Sequence, residues 1–279
     1  MIVIKKIHDL RVVINEYHAA GKRIGFVPTM GALHDGHISL VRRSKQENSI
    51  CVCSIFINPT QFNNPVDLEK YPVTIEKDID MLEAGGCDIL FLPSVNEMYP
   101  PGEAKREYDL GSLGNILEGE FRPGHFQGVC MIVDKLLAAV TPDTLYLGRK
   151  DYQQCMVIQK MMHLREYDTA LVLCDTLREE NGLAMSSRNM RLSETEKGQA
   201  LCIFRALSDI KKNINSTDII TLKEQAVVFL ENNGFKVDYA EIADAETLEP
   251  LKSYDLKREA VALVAAYLNN VRLIDNIII

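Results

Sequence analysis

The sequence predicts an α/β protein: a doubly wound parallel sheet with helices on both faces, followed by a smaller α+β domain. Three observations carry this. Short β-rich runs alternate with amphipathic helical stretches over roughly the first 175 residues. Beyond that point the order changes to helices followed by strands. The length of 279 residues, with 47% hydrophobic and 25% charged, gives each of about two domains enough apolar material for a core.

The first part reads as strand, helix, strand throughout. Strands are expected at residues 23–27, 49–57, 88–92, 144–147 and 169–174, and helices at 36–46, 76–84, 127–140 and 151–164. Such βαβ spacing builds a parallel, Rossmann-like sheet. Ligands of these sheets lie beyond the carboxyl ends of the strands, so function is expected in the loops after Val27, Ile57 and Leu147. After Cys174 a polar loop, 178–191, precedes Ser193, which stands three residues before Glu196. That is close to a capping box and predicts a helix of about 20 residues. A second helix over 221–232 ends before Gly234, a C-cap residue. Strands at 237–243, 260–268 and 271–279 follow, the last two joined by an Asn269-Asn270 turn. The expected domains are therefore 1–175 and 176–279, the second beginning with a mobile, phosphate-closing loop.

Composition narrows the classes. Lys plus Arg number 31 against 39 Asp plus Glu, a formal charge of −8. This opposes broad, sequence-independent nucleic-acid binding, which needs a large basic surface. The seven cysteines form no Cys-x-x-Cys pair, and Cys51 and Cys53 share one face of a predicted strand. They read as small core residues of a reduced protein. Residues 1–9 lack the apolar run of a signal peptide, and no stretch approaches the 18 apolar residues of a membrane span. A soluble, cytoplasmic protein is expected.

The chemistry is concentrated in Val27-Pro28-Thr29-Met30-Gly31-Ala32-Leu33-His34-Asp35-Gly36-His37, which follows a strand and opens a helix. It is not a P-loop, because His37 and Ile38 stand where Lys and Ser or Thr belong, and no Gly-x-Gly-x-x-Gly occurs. What remains is His-x-Gly-His. Gly36 permits close backbone approach, and two imidazoles three residues apart share one face of a helix N-terminus, where free N–H groups favour phosphate. Such donors suit the charge that builds on an α-phosphate during nucleotidyl transfer. The same pair would also serve to cap a turn or as half of a metal site. A second element, Gly148-Arg149-Lys150-Asp151, ends a strand, with Asp151 as N-cap and Lys150 projecting toward the same cleft. A third, Met185-Ser186-Ser187-Arg188-Asn189, offers hydroxyls and a guanidinium in a loop suited to closing over phosphates.

This combination resembles the nucleotidyltransferase superfamily, in which a His-x-Gly-His turn and a serine-rich loop hold ATP. Further stretches narrow the resemblance to the pantothenate synthetase (pantoate–β-alanine ligase) family: Asn58-Pro59-Thr60-Gln61-Phe62, Tyr71-Pro72, Leu117-Glu118-Gly119, Arg122-Pro123-Gly124-His125-Phe126, Ser186-Ser187-Arg188-Asn189 and Arg272-Leu273-Ile274-Asp275-Asn276. It covers nearly the whole chain, in the family's order. A related nucleotidyltransferase would share the histidines but has no reason to carry 58–62 and 122–126 together. A silent nucleic-acid-binding descendant would not require His34, His37, Lys150 and Ser186 to Arg188 at once.

The resemblance implies ATP-dependent condensation of pantoate with β-alanine through a pantoyl-adenylate, releasing pyrophosphate and AMP. It implies Met30, Gly31, Ala32, Leu33, His34, Asp35, Gly36 and His37 around ATP, with His34 and His37 on its phosphates and His37 at the position assigned as proton donor. Gly148, Arg149, Lys150, Asp151, Leu177, Met185, Ser186, Ser187 and Arg188 complete the expected ATP contacts, Lys150 and Arg188 offsetting phosphate charge. Gln61 and Gln154, with Pro28 and Thr29, are expected to bind substrate. An amide supplies both donor and acceptor for pantoate. Mg²⁺ is implied, with Asp78 as its protein ligand, and so is a homodimer. Two positions depart from the family pattern. Arg149 replaces a common Glu or Gln, and Glu76-Lys77-Asp78 stands where some relatives have consecutive aspartates.

Overall fold

A strand such as Ile-Cys-Val-Cys-Ser-Ile has no polar face to offer water, so it needs cover on both sides, as parallel sheets provide. In the computed structural model, which describes residues 1–63, 68–104 and 106–279, this segment is fully buried at the heart of a six-stranded sheet. The strands are β1 (Ile2–Ile4), β2 (Ile24–Thr29), β3 (Ile50–Ile55), β4 (Ile89–Phe91), β5 (Thr144–Gly148) and β6 (Ala170–Cys174). Their order is β1-β4-β3-β2-β5-β6, and every neighbouring pair is parallel. The Rossmann-like α/β class expected from the sequence is therefore the observed one.

Helices α1 (Ile7–Ala19), α2 (Asp35–Glu47), α3 (Ile75–Gly85) and α4 (His125–Val140) belong to this sheet, and α5 (Tyr152–Leu164) leads into β6. Ile38 and Val41 of α2 and Leu82 of α3 pack on Val27, Cys51, Cys53 and Leu90. Phe26, Val52 and Leu145, which alternate with these, are completely buried as well. All seven cysteines are buried free thiols. The sequence reading assigns nothing before residue 23. The β1 edge strand has only three residues, and α1 buries just Leu10 and Ile14, too weak a pattern to stand out.

The chain runs outward from β2 to β3 and β4, then returns to lay β5 on the other side of β2. The switch point thus lies between β2 and β5, where open α/β sheets bind ligands. The two strands pair only at Gly25–Thr144 and Phe26–Leu145. Beyond that, β2 continues beside β3 alone and carries Pro28, which has no N–H to give a ladder.

The chain divides into two units, Met1–Gly148 with Val157–Asp175, and Arg149–Met156 with Thr176–Ile279. Residues 149–156 group with the second unit because its strands hold them: the Tyr152 hydroxyl donates to Ala245 O at 2.9 Å, and Asn276 binds two carbonyls of the preceding turn. The rest of that unit comprises α6 (Glu194–Asn213), α7 (Ile219–Asn232) and an antiparallel sheet of β7 (Phe235–Asp244), β8 (Ala260–Leu268) and β9 (Val271–Ile278). Ile203 and Leu207 of α6 and Leu230 of α7 share one core with Ile242, Val264 and Ala266. Asn269 takes the hairpin's positive φ, 51°. Among the described residues, no helix is long and apolar enough to cross a membrane.

The expected cap of α6 is a full capping box. Glu196 N donates to Ser193 Oγ at 3.3 Å, and Ser193 N donates to Glu196 Oε2 at 2.8 Å. Ser193→Ala should therefore destabilise the second unit by about 1 kcal/mol, read as earlier urea unfolding and faster amide exchange in the first turn of α6. Unchanged exchange there would show that the box contributes nothing.

Candidate active site

The turn from Met30 to His37 leaves β2 through two consecutive residues of positive φ, Gly31 at 83° and Ala32 at 49°. Glycine tolerates this at no cost, whereas a residue with a Cβ is strained by about 1 kcal/mol or more. A Cβ on Gly31 would also lie 3.1 Å from both Asp78 Oδ2 and the Ile55 side chain. The turn is held from below. Asp78, in the first turn of α3 and completely buried, accepts the Ala32 N–H on Oδ2 at 2.9 Å and the Leu33 N–H on Oδ1 at 2.8 Å. Thr74 Oγ1 donates to the same Oδ1 at 2.9 Å. Thr29 ties the end of β2 to β3 through Ser54 O at 2.7 Å and accepts the Gly31 N–H at 3.3 Å.

This corrects the expectation for Asp78. Both oxygens of the expected magnesium ligand already accept hydrogen bonds, and neither reaches solvent. Among the described residues, no three His, Cys, Asp or Glu side chains are grouped as a metal would require. Asp78, buried and with both oxygens engaged, does not fit a resident Mg²⁺.

Beyond the turn, His34 is the N-cap of α2 and His37 its third residue. The rings lie 4.0 Å apart, tilted by 41°. His37 Nδ1 accepts the backbone N–H of His34 at 3.3 Å, so the ring proton resides on Nε2. Asp35 is exposed and Gly36 half-buried in the first turn of the helix.

Gln61 is fixed within the same unit. Its Nε2 donates to Met30 Sδ at 2.9 Å, its Oε1 accepts from Asn58 Nδ2 at 3.0 Å, and its backbone carbonyl accepts from His125 Nδ1 at 2.8 Å. Asn58 is itself locked: its amide also donates to Gly128 O at 3.0 Å, and its Oδ1 accepts from the Tyr99 hydroxyl at 2.8 Å. Burial pushes the Tyr99 phenol up, which keeps it a donor. The absence of a side chain at Gly128 lets α4 lie against the Gln61 segment, since a Cβ there would come within 2.8 Å of Gln61 Cα. Asn58 and His125 stand in the family motifs without an assigned role, and nothing in the sequence singles out Tyr99 or Gly128.

In the second unit, Arg149–Asp151 forms a 3₁₀ turn directly before α5, whose first turn carries the half-buried Gln154. Lys150 Nζ lies 3.9 Å from Asp151 Oδ1. Lys150, Ser186 and Arg188 line one cavity with Asn189, Arg272 and Asp275. Met185 N donates to Leu177 O at 3.0 Å, and Ser186 Oγ accepts the Arg188 N–H at 3.2 Å as the cap of a 3₁₀ turn, Ser187–Arg191. Of the expected residues, the first unit gathers Pro28 to His37 with Gln61, and the second gathers Lys150, Ser186 and Arg188.

A six-stranded parallel sheet with a histidine-capped helix at its switch point defines an α/β protein of the doubly wound, Rossmann-like class. The pantoate-beta-alanine ligase family model matches residues 2–278, and the chain belongs to that family. The pantothenate synthetase of Cytophaga hutchinsonii is 45% identical over all of this chain and 99% of its own length. Crystal structures of pantothenate synthetase from Thermus thermophilus (TM-score 0.92, 37% identity, 99% of each chain) and of the pantoate-beta-alanine ligase from Francisella tularensis (TM-score 0.83, 38% identity, 99% of this chain and 97% of that one) share the fold. The Francisella enzyme was crystallised with β,γ-ATP and β-alanine.

Two variants separate structure from chemistry here. Asp78→Asn should lower stability by about 2–3 kcal/mol through its lost charged hydrogen bonds, and slow the reaction while leaving the Mg²⁺ concentration for half-activation unchanged. A shift in that concentration would restore the metal role. Gly128→Ala should raise the KM for the carboxylic-acid substrate about tenfold or more by displacing Gln61. An unchanged KM would detach Gln61 from that pocket.

Proposed function

We propose that this protein condenses pantoate with β-alanine at the expense of ATP, through a pantoyl-adenylate. In the first step a pantoate carboxylate oxygen attacks the α-phosphorus of ATP, and the bond to the β-phosphate oxygen breaks to release pyrophosphate. In the second, the β-alanine amine attacks the acyl carbon, loses a proton and expels AMP, leaving the amide of pantothenate. A carboxylate is a poor electrophile, whereas the mixed anhydride has AMP as a good leaving group. The observation that carries this reading is the histidine pair on the N-terminus of α2, at the sheet's switch point and on a turn clamped from beneath.

His34 and His37 bind the ATP phosphates, and His37 offers its Nε2 proton as charge builds in transfer. Lys150 and Arg188 offset that charge, and Ser186 and Ser187 contribute hydroxyl donors. Met30 to His37, Gly148 to Asp151, Leu177 and Met185 to Arg188 make up the nucleotide contacts. Gln61, with Pro28, Thr29 and Gln154, receives pantoate, its locked amide presenting a fixed donor and acceptor to hydroxyls and carboxylate. ATP enters as its magnesium complex, the ion carried by the phosphates. The enzyme works as a homodimer, for which a monomeric mass in light scattering at micromolar concentration would be the contrary result.

The direct test is pyrophosphate release from MgATP with pantoate alone, then with β-alanine added. Pantoate-dependent release followed by β-alanine-dependent AMP and pantothenate is expected. Release with another acid but not with pantoate would overturn the assignment. His37→Ala should cut the adenylation rate about 100-fold or more, and a near-normal rate would remove it from the chemistry.

A further inference from the structure

We infer that Asp275 and Asn276, adjacent on β9, are positioning residues that hold both the Lys150 turn and the Ser186–Arg188 loop in their working geometry. The inference rests on the roles proposed above for Lys150, Ser186 and Arg188. Asn276 is 6% exposed and spends its amide nitrogen on two consecutive carbonyls, Arg149 O at 2.9 Å and Lys150 O at 2.8 Å. Both hydrogens are thus used on the backbone of the one turn that carries Lys150. No aliphatic side chain can replace them, and an aspartate would set oxygen against oxygen.

Asp275, 5% exposed, grips the other segment. Its Oδ2 accepts from Arg178 Nη1 at 2.6 Å and its Oδ1 from Nη2 at 3.0 Å, a bidentate pair with fixed direction. The Arg178 guanidinium stacks over Phe204, 4.1 Å from the ring centre, and donates to Gly182 O at 3.2 Å and Asn276 O at 3.3 Å. Arg178 is the stem of the serine loop: it bridges to Ala184, and Leu177 O accepts the Met185 N–H one residue further on. The loop's far side closes onto the same stem through Asn189 Nδ2, which donates to Ala184 O at 3.0 Å. Asn276 N donates to Asp275 Oδ1 at 2.8 Å, so the two anchors are themselves joined.

Consecutive strand residues point to opposite faces, so one dipeptide can reach two segments far apart in sequence. Here it fixes the backbone under a lysine and the base of the serine loop, and Lys150, Ser186 and Arg188 line one cavity. Neither Asp275 nor Asn276 needs to touch phosphate. Their effect is exerted through Lys150 and the loop.

Asn276→Ala is the cleaner probe, because breaking the buried Arg178–Asp275 pair leaves an uncompensated charge. Pantoate-dependent pyrophosphate release should slow about 10–100-fold in Asn276→Ala and in the near-isosteric Asn276→Asp. The decisive reading is a double-mutant cycle with Lys150→Ala. If Asn276 acts through Lys150, Asn276→Ala adds less than about threefold on the Lys150→Ala background. Full multiplication of the two effects, or an unimpaired Asn276→Ala enzyme, would overturn the inference. The same cycle on the ATP dissociation constant reads the pair without pantoate, so a parent enzyme that binds ATP but ignores pantoate sinks the ligase reading and not this one. Should Asn276→Ala not fold, the near-isosteric Asn276→Asp carries the same test. If neither folds, the pair serves folding and the inference falls.

Discussion

The first unit depends on a single buried carboxylate. A chain leaving a parallel strand for a helix must turn sharply, and here it does so through Gly31 and Ala32, both at positive φ. Left alone, the Ala32 conformation would relax at the cost of aiming His34 and His37 elsewhere. Asp78, 45 and 46 residues away in sequence, prevents this by accepting the next two amides. Charge-assisted bonds to a carboxylate are roughly twice as strong as neutral ones, and here no water competes for them. The strain of the turn and the clamp beneath it are therefore parts of one arrangement.

The second unit uses the same device with the polarity reversed. In the first, a carboxylate collects backbone N–H groups; in the second, an amide collects backbone carbonyls, Asn276 on the Arg149–Lys150 turn. Asn58 plays a similar part toward Gln61, meeting it with one nitrogen while Tyr99 and Thr60 fill its oxygen. In each case a turn or side chain of the candidate site is held in place from behind. Its direction comes from a buried neighbour that never leaves the interior. Loops carry the chemistry, and residues on helix, strand and turn behind them supply the precision.

This division explains what was legible in the sequence. The sheet could be read from apolar runs such as Ile50–Ile55, because burial on both faces writes itself directly into composition. The histidine turn, the lysine turn and the serine loop could be read because their residue types are chemically unusual in those contexts. The clamps could not. Asp78 resembles any acidic residue in the first turn of a helix, and a family pattern drew it toward magnesium. Only the fold shows that its oxygens are filled by Ala32, Leu33 and Thr74. His125 and Asn276 were visible as letters in quoted motifs, but their partners, Gln61 O and the 149–150 carbonyls, lie 64 and about 126 residues away. A backbone carbonyl has no residue identity, so a side chain that binds one leaves no paired signal for a reader of a single sequence.

The chemistry makes such rigidity more useful here than any tuned acid or base. Adenylate formation exchanges one anhydride oxygen on the α-phosphorus for another, and little covalent work falls to the protein; the barrier yields mainly to placement and to donors already aimed at the developing charge. His37 fits this economy. Because Nδ1 accepts the His34 amide, Nε2 is the ring nitrogen left to act as a donor. A donor held in that way costs no reorganisation when charge appears, but it works only if the turn holding it does not move. The carboxylate under Ala32 and Leu33 and the proton on His37 Nε2 are thus linked: the first fixes the backbone whose amide fixes the second.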